Sequence, residues 1–427
     1  MKLTSYWLET APSFTASPIA ALPGTVDAVV VGGGFSGLSA ALRLRQLGAS
    51  VALLERECVV GEASGRNGGH VNNGLAGSFS LACKNMGIEK ATSLYHVFNK
   101  AVDTVEAIVK DNAIDCDFTR CGKLKVGSLQ AHRAALLADY EQLQKAADPD
   151  VKFIDGPQIR SELVSDLFNS GLVYPHSARM HMGRFGVGLA QSVLKAGGLI
   201  FENTPMVGIK AGKGGFEVST PHGRIFAKNV LMATGTSRHG PSWFRQRIMP
   251  VGSFIVATEP LDASTLEQVM PGGRNVVTMQ NIHNYFRATA DNRLIFGGRA
   301  SFSRSRTTTD IASGHMLLAA IRRTLPTLPD VKIDYCWGGD VDMTVDRLPR
   351  AGQWNGVYYT MGYSGHGTQM SVYMGQRMAE AMSGLPNTNP LEGRSWPKIP
   401  LYGLASHFLP VVGAYYRAKD YMQNLEP

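Results

Sequence analysis

The sequence predicts an α/β fold in which a Rossmann-like dinucleotide-binding domain is interleaved with an α+β substrate domain built on an antiparallel sheet. Three observations predict it. The apolar run Val29-Val30-Val31 enters a glycine turn with G-x-G-x-x-G spacing, followed by a helical stretch and a second apolar run closed by an acid. Buried-strand patterns of the same type return near residues 199, 229 and 356, after long intervals. Between residues 250 and 300 the pattern changes to strand after strand, which is the signature of an antiparallel sheet.

Each glycine of the turn has its own task. Gly32 makes the tight turn, Gly34 lets the backbone approach a pyrophosphate, and Gly37 lets helix 38–47 pack closely on the strand. Phe35 and Ser36 lie between them where the helix opens, and its exposed N–H groups and positive dipole end favour an anion. Glu55, with Arg56 after it, ends the strand Val51-Ala52-Leu53-Leu54 and is placed to bind ribose hydroxyls. An acid there disfavours a 2′-phosphate. The Gly/Asn-rich stretch 63–74 reads as a loop outside any core. Helical periodicity follows over 89–112 and 131–147, then a helix at 184–197, strands at 199–202, 216–219 and 229–235, and the Ala233-Thr234-Gly235 end. Strands are predicted at 251–258, 284–287 and 294–298, a helix at 309–324, a strand at 356–362, and a helix at 369–383. These divisions place the dinucleotide domain at 1–80, 151–240 and 336–384, the substrate domain at 81–150 and 241–335, and a C-terminal tail packed on the body at 385–427.

A chain of 427 residues is too long for one ordinary core. Its 42 basic and 34 acidic residues leave a net charge of +8, but they are scattered, which argues against nucleic-acid binding and for an anionic small molecule or a weak membrane-surface contact. The five cysteines form no C-x-x-C and no group with histidine, so no metal site is expected and a reducing, cytoplasmic setting fits. No secretory h-region and no run of about 18 apolar residues is present. The apolar segment 401–416 reads as a docked tail, with peripheral contact at the inner face of a membrane as the second reading.

With these motifs the chain resembles the FAD-dependent oxidoreductases of the D-amino acid oxidase superfamily. The resemblance rests on the glycine turn with Glu55, the Ala63-Ser64-Gly65-Arg66-Asn67-Gly68-Gly69 segment, Ala233-Thr234-Gly235, Tyr285-Phe286-Arg287 followed by Phe296-Gly297-Gly298, and Gly362 to Gly367. Within that family, Ala63 to Gly69, Pro250-Val251-Gly252-Ser253 and Leu409 to Tyr416 are similar to the gamma-glutamylputrescine oxidase branch. The resemblance implies a GR2-type FAD-binding domain and noncovalent FAD. It places Gly32, Gly34, Phe35, Ser36 and Gly37 on the pyrophosphate and Glu55 and Arg56 toward the adenosine. Val207, Thr234 and Gly235 line the same cofactor. Ala63, Ser64, Arg66, Asn67, Gly68 and Gly69 pass beside the flavin, and Gly362, Gly365, His366, Gly367 and Thr368 face its pyrimidine end.

Two departures from the family pattern carry information. The arginine that clamps a substrate α-carboxylate in the glycine and D-amino acid oxidase branch is replaced by Val341. The cysteine that attaches flavin covalently in sarcosine oxidases has its place at Gly339, with Cys336 out of register. A carboxylate-bearing substrate would therefore need Arg66 or Arg287, with Asn72 as a further substrate contact. The implied activity is oxidation of the C–N bond of an amine of the gamma-glutamylputrescine kind by hydride transfer to flavin, giving an imine that hydrolyses to an aldehyde or ketone and an amine. The alternative is a secondary amine or amino acid oxidase or dehydrogenase for L-pipecolate, sarcosine or a D-amino acid. His70, His366 and Tyr363 are the candidate catalytic groups, the histidines because imidazole titrates near neutrality. No second G-x-G-x-x-G follows a strand, so the expected electron acceptor is O2 or a quinone-type molecule.

Overall fold

Strands buried on both faces read as continuous apolar runs, and the first sheet is built from such runs. The computed structural model describes residues 1–237, 239–280, 283–298, 311–328, 330–400 and 402. In the first sheet the order is Arg350–Trp354, Val357–Met361, Gly223–Met232, Thr25–Val31, Val51–Leu54 and Leu199–Phe201, with the strands Gly215–Thr220 and Gly208–Gly212 added beside Gly223–Met232. From Val357–Met361 to Leu199–Phe201 neighbouring strands are parallel. On one face Ala28, Val30, Leu53 and Leu231 pack under the helices Phe35–Gln46, Met182–Lys195 and Gly367–Met382. On the other, Val29, Val31, Leu54 and Met232 pack against an aromatic group that includes Trp243, Phe244, Tyr359 and Trp396. The helices Phe35–Gln46 and Gly367–Met382 cross at Gly375, where a Cβ would sit 2.4 Å from the Ser36 carbonyl oxygen.

The second sheet has the order Ile333–Met343, Met249–Thr258, Leu294–Gly298, Asn284–Ala288, Asn275–Thr278, Lys123–Gly127, Ser170–Tyr174 and Lys152–Asp155. It is antiparallel except where Asn275–Thr278 runs parallel to Lys123–Gly127. Alternation of side chains sorts its two faces. Leu124, Val126, Phe254, Val256, Val276, Phe286, Phe296 and Cys336 form an outer core with Leu317 and Ile321 of the helix Ile311–Thr324. By register, Lys123, Lys125, Ser253, Ile255, Tyr285, Arg287, Trp337, Gly339 and Val341 share the inner face. Ile255, Tyr285 and Trp337 join the core beneath the first unit.

The sheet differs from the expected domain boundaries at two places. Ser170–Tyr174 pairs with Lys123–Gly127 and carries Lys152–Asp155 on its other side, although both fall in the stretch 151–240. Ile333–Met343 pairs along its length with Met249–Thr258, although most of it falls in 336–384. Both crossings are made by pairing partners distant in sequence, which local periodicity does not report. In the tail, Leu391, Trp396 and Ile399 are buried. Segment 401–416, with its docking and membrane readings, lies outside the described residues apart from Tyr402. Among the described residues no helix is long and apolar enough to cross a membrane.

Candidate active site

The glycine turn admits no side chains. Gly32 has φ +112°, and a Cβ there would lie 2.5 Å from the Ala233 carbonyl oxygen. At Gly37 it would lie 1.9 Å from the Gly32 oxygen, and at Gly34 it would lie 2.9 Å from Ser64 Oγ. Ser64 Oγ in turn accepts from the Phe35 N–H at 3.0 Å, which ties the turn to the 63–74 segment. The helix that starts at Phe35 has Gly34 as its N-cap and no side-chain cap, so its remaining first-turn N–H groups are available to an anion. Ser36 is turned aside, its hydroxyl 2.7 Å from that of Tyr363. Glu55 is held at the strand end by N–H groups from Gly33 at 2.7 Å and Glu57 at 2.9 Å. Its other lone pairs are left for ribose hydroxyls. Arg56 pairs with Glu57 and Glu62, while its Nε is buried with no partner. Val207 is 66% exposed, and Gly235, at φ +50°, has nothing within 4 Å of a Cβ position.

The 63–74 segment is not outside the core, as its composition suggested. It runs between the two sheets, with Val71 and Asn73 at 0% exposure. A buried loop is tolerable only if its backbone polar groups are paired, and here they are. The Gly65 carbonyl accepts from Ser5 Oγ, Arg66 from Trp337 Nε1, Asn67 from Trp7 Nε1, Gly68 from Arg287 Nε and Gly69 from the Met180 N–H. His70–Val71 form a short ladder with Ala178–Arg179. The Asn72 carbonyl accepts from Gln369 Nε2 and that of Asn73 from Lys123 Nζ.

Arg287 and Asn72, expected to touch substrate, are both engaged in this frame. Arg287 donates to the carbonyls of Gly68, Met180 and Ala288, and its guanidinium lies 5.0 Å from the Trp7 ring centroid. Asn72 Oδ1 accepts from Asn275. Arg66 turns back onto the Gly61 carbonyl at 2.7 Å, and its Cβ closes over Gly339. Asn67 Oδ1 caps the Gly69 N–H. Tyr285 is wedged between two glycines: a Cβ at Gly68 or Gly297 would come within 2.7 Å or 2.3 Å of its ring. Its hydroxyl is 3.1 Å from Ser253 Oγ.

The second arm of the site is Gly362 to Thr368, where Gly362, Ser364 and Gly365 all have positive φ. Asp342 Oδ2 accepts from the Gly362 N–H at 2.6 Å, and its carbonyl accepts from Ser364. Burial pushes the Asp342 carboxyl up to about 6. Helix Gly367–Met382 starts beside the segment with no side-chain cap, and Thr368 Oγ1 is 3.4 Å from Asn67 Oδ1, joining the two arms. Tyr363 does not enter the site. Its buried hydroxyl is enclosed by Ser36 and Thr360 at 2.7 and 2.8 Å, and burial raises its pKa.

His70 and His366 are both brought to the site. His70 stands edge-on to Tyr285, ring centroids 5.5 Å apart, with Nε2 buried and without a partner. His366 packs on Phe98 at 5.8 Å and faces Lys123, Lys125 and His283, with Nδ1 buried and without a partner. The near-neutral pKa expected of them is not found. Burial, then Arg287 for His70 and Lys123 for His366, pushes each down to about 3, so both are neutral at physiological pH.

Sequence reasoning missed Trp7, Lys123, Gln369 and Asn275, all donors to the buried segment. The one readable signal was at Lys123 and Lys125. Lysines at alternate positions of an apolar strand mark a polar inner face.

A sequence pattern described as "FAD dependent oxidoreductase", of the DAO family, matches residues 27–381. The chain belongs to this family. The DAO-family chain is 31% identical over 372 residues to the probable oxidoreductase OrdL of Haemophilus influenzae, spanning 84% of this chain and 83% of that protein. It is 30% identical to the gamma-glutamylputrescine oxidoreductase of Escherichia coli, spanning 84% of each. Its fold is shared with glycine oxidase from Geobacillus kaustophilus, with a TM-score of 0.75, 18% identity and coverage of 88% of this chain and 100% of that one. L-proline dehydrogenase from P. horikoshii gives 0.71 at 19% identity, with 87% and 98% covered. The protein is thus an FAD-dependent oxidoreductase of the group that acts on amines and amino acids, and its residues fit the cofactor. The glycine turn leaves no room for side chains, two uncapped helix starts converge on the site, and buried Arg56, His70 and His366 nitrogens have no protein partner.

Two outcomes follow for this frame. Arg287→Met takes the donor from two buried carbonyls, Gly68 and Met180, and from the part-buried Ala288 carbonyl, and urea unfolding should show a loss of about 3 kcal/mol or more; a loss below about 1 kcal/mol would mean the guanidinium is not what holds the segment. His70 and His366 have folded pKa values below the ordinary 6.5. The unfolded chain therefore takes up protons that the folded chain refuses, and stability should fall as the pH drops from about 6.5 toward 3. Thermal unfolding at pH 7 and pH 5 should show a smaller loss for His366→Asn than for the parent, and equal losses would refute the shift.

Proposed function

We propose that this DAO-family enzyme uses noncovalently held FAD to oxidise the amine-bearing carbon of a gamma-glutamylated diamine of the gamma-glutamylputrescine kind, with O2 or a quinone-type molecule as the electron acceptor. The observation that carries the reading is where the inner face keeps its positive charge. An α-amino acid needs a cation beside the reacting carbon, but Val341 stands where the α-carboxylate clamp of the amino acid oxidases is found, Arg287 is spent on backbone carbonyls, and Arg66 turns back onto Gly61. The inner-face cations Lys123 and Lys125 lie further along the sheet, two strands from Tyr285. This suits a substrate whose anionic end is distant from its amine. The 30% identity to gamma-glutamylputrescine oxidoreductase over 84% of both chains supports the same class. Noncovalent attachment is supported by Cys336, which points into the outer core on the face opposite Gly339 and Trp337.

The glycine turn, Glu55 and the two helix starts would hold the pyrophosphate, ribose and flavin, and the bound flavin would supply the hydride acceptor. The rest of the chemistry falls to the protein's own side chains. Hydride loss requires the neutral amine, and the inner-face cations Lys123, Lys125 and Arg287 disfavour an ammonium through like charge. Neutral His70 and His366 each offer one buried ring nitrogen able to orient an amine or a water. The paired loop and sheet faces keep bulk water from the reacting carbon.

The test is an anaerobic visible spectrum of the FAD-loaded protein, with amines added one at a time. Gamma-glutamylputrescine should bleach the flavin band near about 450 nm, whereas L-pipecolate and sarcosine should not. Bleaching by pipecolate or sarcosine alone would replace this reading with the amino acid oxidase alternative.

A further inference from the structure

We infer that Lys125 and Asp139 form the subsite for the zwitterionic glutamyl head of the substrate, Lys125 taking its α-carboxylate and Asp139 its α-ammonium. This rests on the amine reading above and names the part of the site that selects the substrate's distant end.

Four charged groups lie at this end of the inner face, and two of them are already engaged. Lys123 donates to the Asn73 carbonyl at 2.7 Å and lies 3.8 Å from the Tyr174 ring centroid. Asp148 accepts the Tyr95 hydroxyl at 2.6 Å and the Asp150 N–H at 3.2 Å. The other two, Lys125 and Asp139, meet at 3.8 Å, beyond hydrogen-bond range. Asp139 is the ion-pair partner of Lys125 among the described residues. Asp139 Oδ1 accepts the Ser80 N–H at 3.0 Å, which leaves Oδ2 toward the lysine with capacity to spare. The lysine side chain keeps 22% exposure while the aspartate keeps 2%. Asp139 Oδ2 is therefore reached past Lys125, and the α-ammonium takes the lysine's place at Oδ2 as Lys125 turns to the α-carboxylate. His366, with its buried and unpartnered Nδ1, lies within electrostatic reach of Lys125.

The spacing fits. Lys125 is opposite Val277, and Val277 is opposite Tyr285. Two strand spacings of about 4.8 Å place the pair roughly 10 Å from the Tyr285 and His70 end. An extended gamma-glutamyl diamine of the putrescine length has eight bonds between the glutamyl α-carbon and the amine-bearing carbon, again roughly 10 Å at about 1.2 Å per bond. An amino acid, with its carboxylate one bond from the reacting carbon, would not reach the pair. A zwitterionic head also needs both charges in one place, and this pair supplies both.

The experiment compares two amines by anaerobic stopped-flow reduction of the holoenzyme: gamma-glutamylputrescine, and N-acetylputrescine, which lacks the amino acid head. The parent enzyme should bind the first at least tenfold more tightly. In Lys125→Met, which keeps the aliphatic stem, the Kd for gamma-glutamylputrescine should rise about tenfold to hundredfold more than that for N-acetylputrescine, while Lys125→Arg should restore most of the preference. A second measurement needs no variant: gamma-glutamylethylamide, which carries the head but lacks the terminal amine, should perturb the parent flavin spectrum and compete with gamma-glutamylputrescine, whereas N-ethylacetamide should not. Equal Kd values for the two amines in the parent, or no competition by gamma-glutamylethylamide, would overturn the subsite while leaving the amine reading intact. Reduction by neither amine would remove the amine reading, and the subsite with it.

Discussion

A polar, glycine-rich segment buried between two sheets must have its carbonyls paired, and that requirement organises this molecule. From Gly65 to Gly69 each carbonyl meets a donor from a different part of the chain: Ser5, Trp337, Trp7, Arg287 and Met180. Gln369 and Lys123 complete the set at Asn72 and Asn73. Removing any one leaves a buried acceptor at a cost comparable to a large share of a protein's net stability. The same constraint explains the glycines. A segment threaded between Tyr285 and Arg287, with its own His70 ring folded beside it, has no room for Cβ atoms at Gly68 and Gly69, where they would come within 2.7 and 2.1 Å of these side chains.

The electrostatics of the site follow from the same burial. A frame made of paired carbonyls needs donors, and among those it draws into the interior are the cations Arg287 and Lys123. Lys123 is pushed down to about 7 and Arg287 to about 9 as burial disfavours their charged forms. Their charge, with desolvation, holds the two histidines neutral. The result is an interior that favours neutral amines and neutral imidazoles and accepts negative charge, which is what an FAD-dependent amine or amino acid oxidoreductase requires of its protein part.

Much of this was legible in the residues. The glycine turn, Glu55 and the strands near 199, 229 and 356 carry local patterns with a known purpose, and they fall together in the parallel sheet. The strands of the second sheet were legible one by one from alternation. Their partners were not, because pairing Ile333–Met343 with Met249–Thr258 is a long-range choice that no window of sequence records. The 63–74 segment was misread for a related reason. Its composition is that of an exposed loop, and only the donors brought from Ser5, Trp7, Trp337 and Gln369 make it a core element. Tyr363, Asn72 and Arg287 were drawn to the site by their neighbours in sequence, but each side chain is directed into the frame. Lys125 and Asp139 meet only through the packing of a helix on a strand, and nothing local marks them as a pair.

The central claim is that the 64–74 segment is a preformed floor on which cofactor and substrate are laid. A crystal structure of the FAD-loaded protein tests it most directly. The account predicts the flavin ring between Arg66–His70 and Gly365–Thr368, with one face toward Tyr285 and with the carbonyl partners of Gly65 to Asn73 unchanged. A flavin seated elsewhere, or a segment that exchanges those partners on binding, would contradict it.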